Sequence, residues 1–346
     1  MALGYIQLKR ETNGPLNEST WAAGTYGTKI LYPPASNIAP DIAPTQINRD
    51  DEIRNANEPS PILPDKFDPK MPLAVKGYPD TTAFLITLMY GLPTTVVGNG
   101  TITDLGGGTV PTGAYTHTWT APFSGTVNIP TTAQVLAAYA DQGVYLQGFG
   151  MGIQQLDLGT DDTVMNLSAQ FDGLFMQQIS NPSLTPAYEA STVQPWKPRN
   201  ATLTTWLANT GLTVQGGLTY SFMNPFEKDR TQGVVSMSPN ALFKTDLPTT
   251  TGTINKLLFD VDDWNALVAS TGFAALTAWI NDSFVTGSYP YKLFVKNTNL
   301  QYTGGTPAPL TNSRRLGASY NFKATDASGS GASTIIQVCN STAAYV

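Results

Sequence analysis

Between Val164 and Phe171 the chain reads Val-Met-Asn-Leu-Ser-Ala-Gln-Phe, and this alternation limits the fold more than any other stretch. Met165, Leu167, Ala169 and Phe171 fall on one face, while Asn166, Ser168, Gln170 and the following Asp172 fall on the other. A period of two belongs to a strand with one face buried. The outer face is polar but almost uncharged. Related stretches recur at Tyr115–Thr120, Val144–Leu158, Thr213–Phe222, Gly233–Met237, Tyr291–Tyr302, Leu316–Lys323 and Thr334–Val338. Between them 31 Gly, 25 Pro and frequent Thr supply the breaks. The expected fold is mainly β.

Two segments read as helices. Pro79-Asp80 precedes Phe84, Leu85, Leu88 and Met89, and Gly91 ends the run. Asp262-Asp263 precedes Trp264, Leu267 and Val268, with Gly272 as the stop and a further helical stretch over Ala274–Ile280. Proline or acid at the start with glycine at the end follows the asymmetry of helix termini. Each helix follows an apolar strand, Leu73–Val75 or Leu257–Phe259, and each is followed by two strands. The order strand, helix, strand, strand thus occurs twice and suggests an internal duplication, with domains at 1–190 and 201–346.

Residues 40–72 stand apart, with seven prolines and about a quarter of the chain's charged residues. A structureless segment of this length is a solvated linker or a functional arm. Its apolar residues Ile42, Ile47, Ile53, Ile62, Leu63 and Phe67 suit an arm that docks on a neighbour.

Catalytic chemistry finds little to work with. There is one histidine, His117, and one cysteine, Cys339, so neither a Cys-rich nor a His-based zinc site can be built. His117 sits in an alternating strand and reads as structural, and Cys339 as a small buried hydrophobe. The pair Asp161/Asp162 suits a turn and Asp262/Asp263 a helix start, so neither needs a catalytic explanation. Gly106-Gly107-Gly108 and the glycines at 148, 150 and 152 lack phosphate-loop spacing and read as turns and bulges. No catalytic residue, cofactor or metal is expected. The first ten residues contain no apolar core of a secretory signal, and no apolar run is long enough to span a membrane.

Charged residues are only 13% of the chain, well below the usual share, and the net charge is −6. Charge is depleted where surface is buried between subunits. An acidic chain without a basic run does not grip nucleic acid by its phosphates.

The opening Glu18-Ser19-Thr20-Trp21-Ala22-Ala23-Gly24-Thr25-Tyr26-Gly27-Thr28, followed by Leu31-Tyr32-Pro33-Pro34, resembles that of the tail tube proteins of long, non-contractile-tailed bacteriophages. So do Gly77-Tyr78-Pro79-Asp80 with a helix ending Tyr90-Gly91-Leu92, and Tyr115-Thr116-His117-Thr118-Trp119. The paired strands from Gly148 to Gly173, Asn224-Pro225, Tyr291–Tyr302 and Leu316–Ala324 complete the likeness, which spreads over nearly the whole chain. The resemblance implies β-sandwich or barrel domains, each with a flanking helix. Such subunits form rings, either hexamers or trimers of two-domain chains with pseudo-sixfold symmetry, and the rings stack into a DNA-conducting tube in the virion.

Within that picture the chain is made in the bacterial cytoplasm. It meets copies of itself, the tape measure, tip and terminator proteins and passing double-stranded DNA. Asn166, Ser168, Gln170 and Asp172 are candidates to face the lumen as part of an acidic or neutral wall. Ile47, Ile53, Ile62, Leu63 and Phe67 are candidates for an inter-ring arm. A tail terminator or capsid decoration protein is an alternative, as is a β-rich carbohydrate-binding protein.

Overall fold

A computed structural model of the chain describes residues 5–11, 28–31, 45–47, 63–66, 68–121, 130–160, 163–182, 192–207, 212–213, 217–229, 241–256, 260–307, 317–326 and 333–345. The fold is mainly β, as the alternation requires, with two α-helices among the described residues. The first half contains β1 (Tyr5–Arg10), β2 (Thr28–Leu31), β3 (Thr45–Ile47), β4 (Leu63–Lys66), β5 (Lys70–Lys76), α1 (Pro79–Tyr90), β6 (Thr94–Val97), β7 (Tyr115–Ala121), β8 (Ala133–Tyr139), β9 (Val144–Thr160), β10 (Met165–Asp172) and β11 (Phe175–Ile179). The second contains β12 (Ala201–Trp206), β13 (Leu212–Thr213), β14 (Leu218–Met223), β15 (Phe226–Asp229), β16 (Ala241–Lys244), β17 (Thr249–Lys256), α2 (Val261–Val268), β18 (Phe273–Thr286), β19 (Tyr289–Pro307), β20 (Ala318–Ala324) and β21 (Thr334–Asn340).

Three antiparallel sheets can be traced. A central sheet has the order β5-β10-β9-β14-β17-β20-β19. One side sheet runs β2-β1-β8-β9-β11 and the other β13-β12-β18-β19-β21-β7-β6. Strands β9 and β19 therefore each belong to two sheets. The N-terminal part of β9 pairs with β8 and β11, and from Gly152 onward the strand pairs with β10. In β19, Lys292–Asn297 pair with β21 and Leu300–Pro307 with β20.

The transfer of β9 between layers explains its glycines. Gly150 has φ +58, a left-handed conformation that costs an L-residue with a side chain. A Cβ on Gly150 would also meet Leu174 Cδ1 at 2.8 Å, and one on Gly148 would meet Met151 Sδ at 2.8 Å. These residues lie inside a strand that bends, and the register shift opposite Ala133–Val135 of β8 places an irregularity of the bulge kind there, as the sequence reading expected.

Alternation sorts the core. On β10, Met165, Leu167, Ala169 and Phe171 are buried, while Asn166 and Gln170 are exposed. Leu73, Leu156, Phe222, Ile254 and Phe322 of the central sheet share one apolar cluster with Ile6 and Val135 of one side sheet and with Leu203, Trp279 and Leu293 of the other. The architecture is a sandwich in which the central sheet gives only one face to the core. Aromatic packing dominates its middle: the Tyr220 ring lies 6.0 Å from Phe222, 6.1 Å from Trp279 and 5.2 Å from Phe322.

Helix α1 runs through this core. Every residue but Asp80 is buried, so it carries no solvent stripe. Its threonines stay satisfied by donating to the preceding turn: Thr82 Oγ1 to the Tyr78 carbonyl and Thr87 Oγ1 to the Ala83 carbonyl, each at 2.8 Å. Gly91, φ +87, closes the helix by donating its N–H to the Thr87 carbonyl.

Helix α2 corrects two expectations. Its N-cap is Asp260, which accepts from the Asp262 N–H, and not the Asp262/Asp263 pair. Asp263 is instead buried, where it binds Lys256 and accepts from Tyr302 OH at 2.7 Å. The continuation expected over Ala274–Ile280 is part of strand β18. Pairing with β12 on one side and β19 on the other overrides the helical propensity of its alanines. Leu257–Phe259, Asp161/Asp162 and Gly233–Met237 lie outside the described residues.

Within residues 40–72, β3 pairs with β4, Ile47 opposite Leu63, and the segment ends inside β5. Ile53, Ile62 and Phe67 lie outside the described residues.

The pairings follow one scheme twice. In the first half β1·β2, β1·β8, β8·β9, β9·β11, β9·β10 and β10·β5 occur. In the second, β12·β13, β12·β18, β18·β19, β19·β21, β19·β20 and β17·β20 stand in the same relations. The halves are joined by β9·β14 and β7·β21, so sheets cross from 1–190 into 201–346 without a break.

Candidate assembly surfaces

The outward face of the central sheet is built by register. Across its seven strands Ala74, Ser168, Asp157, Ser221, Thr251, Lys323 and Gln301 stand side by side. Asn166 lies in the next row between Lys76 and Gly159, and Gln170 lies opposite Gln155. All four residues singled out on β10 therefore belong to one continuous polar surface. Its charged positions are Lys70, Lys76, Asp157, Asp172 and Lys323. The face is nearly neutral, with three Lys against two Asp.

Asp172 differs from its three companions. Its carboxylate and that of Asp68 both pair with the Lys228 ammonium, whose side chain is only 8% exposed. Burial is the larger influence on Asp172 and raises its pKa. The cluster ties β10 to β15 and presents little open charge.

Edges are the second feature. Among the described residues, β5 pairs only with β10, and Gln301–Pro307 of β19 pair only with β20. Among these residues neither end of the central sheet has a further strand partner. β5 carries Lys70, Pro72 and Lys76, residue types that discourage indiscriminate edge pairing.

The seam between the halves is the third. Asp80, at the start of α1, accepts from Thr342 Oγ1 at 2.8 Å and Tyr345 OH at 3.1 Å. Asn224 Nδ2 donates to the Met89 carbonyl at 2.9 Å, and Trp196 Nε1 to Thr82 Oγ1 at 3.0 Å. His117 lies beside this seam, wholly buried. Its Nε2 faces Asn340 Oδ1 at 3.1 Å and the Thr342 carbonyl at 2.8 Å, so that nitrogen carries the proton. Its Nδ1 then accepts from Thr95 Oγ1 at 3.1 Å. Burial, the largest influence, lowers its pKa. The sequence reading took His117 as a structural residue of an alternating strand, and the structure buries it there with its ring nitrogens bonded.

Between β6 and β7, the glycine cluster forms a clasp. The Asp104 carboxylate accepts from the N–H groups of Gly106 and Gly108, both at 2.9 Å, from Tyr289 OH at 2.7 Å and from Lys292 Nζ at 2.6 Å. A buried charge so fully bonded holds the loop onto the second half. Cys339 lies nearby, buried, with its thiol pKa pushed up to about 12, chiefly by desolvation. That is the environment of an inert cysteine. Among the described residues no cluster of His, Cys, Asp and Glu could hold a metal, and no helix is long and apolar enough to cross a membrane.

The alternation gave the polar face, but the Asp104 clasp and the Asp263 network escaped it, because both join residues far apart in sequence. A buried acid opposite a lysine leaves no local pattern. No protein-family model and no curated protein matches the chain.

Proposed function

We propose that the chain is a structural subunit of a phage tail tube, stacking as rings into the conduit of a long non-contractile tail. One observation carries this reading: among the described residues the central sheet has a covered apolar face, a nearly neutral polar face that β15 meets at Asp172, and no strand partner at either end. A sheet that already continues from one half to the next through β9·β14 can continue into another copy by the same kind of edge pairing. Ring closure then removes the edges that an isolated subunit leaves open.

The repeated pairing scheme supports two tandem tube domains per chain and a three-chain, pseudo-sixfold ring. In such a ring the polar face lines the lumen, with Asn166, Ser168 and Gln170 among its polar groups. Hydroxyls and amides, with three Lys nearly offset by two Asp, offer phosphates no basic cluster of the kind whose counterion release makes binding tight. The β3·β4 hairpin is suited to reaching an adjacent ring.

The test is negative-stain electron microscopy of the purified chain, concentrated and warmed. Hollow tubes with a regular axial repeat and three-fold end views are expected. Monodisperse particles at every concentration, even with tail-initiating proteins added, would overturn the reading.

A further inference from the structure

The two helices hold matching places in the chain but differ in cover. α1 follows β5 and lies against β9 of its own half, and also against β21 and β19 of the other half. Those second-half strands, with Thr342 and Tyr345, close over it. α2 follows β17, the counterpart of β5, and its principal neighbour is β19, the counterpart of β9. Among the described residues no strand stands over α2 as β21 stands over α1, and Val261 is 61% and Val268 68% exposed. Trp264, between them, is 39% exposed.

The two halves are arranged so that the one that continues the central sheet beyond β9 also covers α1. The same step beyond β19 reaches that strand's open edge, with α2 packed beside it. Resting on the ring assembly proposed above, we infer that a second copy of this chain packs on the exposed face of α2. It does so with β11 and the N-terminal part of its β9, the counterparts of β21 and β19. β11 is suited to this. It pairs only with β9 among the described residues, and Phe175, 38% exposed, lies beside Phe149 with ring centroids 6.2 Å apart. Apolar groups buried at the centre of an interface contribute most of its affinity.

Two variants test this. In Val261→Asp/Val268→Lys, charge replaces both valines in the orientation that the helix dipole favours, so the subunit still folds. Its thermal midpoint as a monomer should match that of the parent, while the concentration needed for assembly rises by about tenfold or more. In a second variant, Val268→Cys/Gln177→Cys, a short bismaleimide should join chains into dimers and trimers within assembled material. Either cysteine alone should give no trimer.

If the parent chain assembles, and the charged variant does so at the same concentration with no cross-linked trimers, the α2 contact is wrong while the ring reading stands. If the parent never assembles, with or without initiating proteins, both fall.

Discussion

At the scale of single residues, the buried polar groups decide what the sequence could not. His117 is neutral in the folded chain because burial lowers its pKa below the ordinary value of 6.5. In the unfolded chain it takes up a proton near that value, so the stability it contributes is complete above about pH 6.5 and declines as the pH falls toward its folded pKa. The expected slope between pH 7 and 5 is at most about 1.4 kcal/mol per unit. Urea midpoints across that range check it. His117→Gln should be less stable at pH 7 but should lose this part of the slope; an unchanged slope would assign the acid sensitivity elsewhere. Gly150 and Gly107 offer a second comparison, since both have positive φ, 58° and 81°. Alanine at Gly107 meets open space and should cost about 1 kcal/mol. At Gly150 it also meets Leu174 and should cost about 2 kcal/mol or more, so equal denaturation midpoints would contradict the bend described for β9.

At the scale of elements, the strands with clean alternation were legible and the helices only in part. β10 was readable because one face is core and the other is water. β8, with Ala133–Ala138 buried, has no polar stripe to mark its period, and it escaped notice for that reason. β18 looked helical because two alanines precede Leu276, yet its partners on both sides made it a strand. α1 was found from its Pro start and Gly stop, which are local signals. That it would be buried on all sides could not be read locally, since the groups covering it come from residues 196, 224, 342 and 345. Trp196 is the most demanding of these, being fully buried with its indole N–H bonded to Thr82. Trp196→Ala should destabilise the chain by about 3–5 kcal/mol, read as a fall in the denaturation midpoint. A loss below about 1 kcal/mol would mean that α1 does not depend on this packing.

At the scale of the whole molecule, the sequence yielded a mainly β chain, and it could not yield the joins. β9·β14 and β7·β21 tie the halves through partners of large sequence separation, which no periodicity records. The β6–β7 excursion after α1 has no counterpart after α2, where β18 begins at Phe273. The two halves therefore share a plan without being interchangeable.

Strands β9 and β19 each leave one sheet and enter another without interruption. They act as struts, fastening the central sheet to the side sheets by covalent backbone as well as by side-chain contact. Sliding one layer over the other would stretch two main chains and break both sets of ladders at once. In the stacked rings proposed above, a cylinder made of such pieces should resist a radial load within each ring and yield between rings, bending as a stack of stiff washers does.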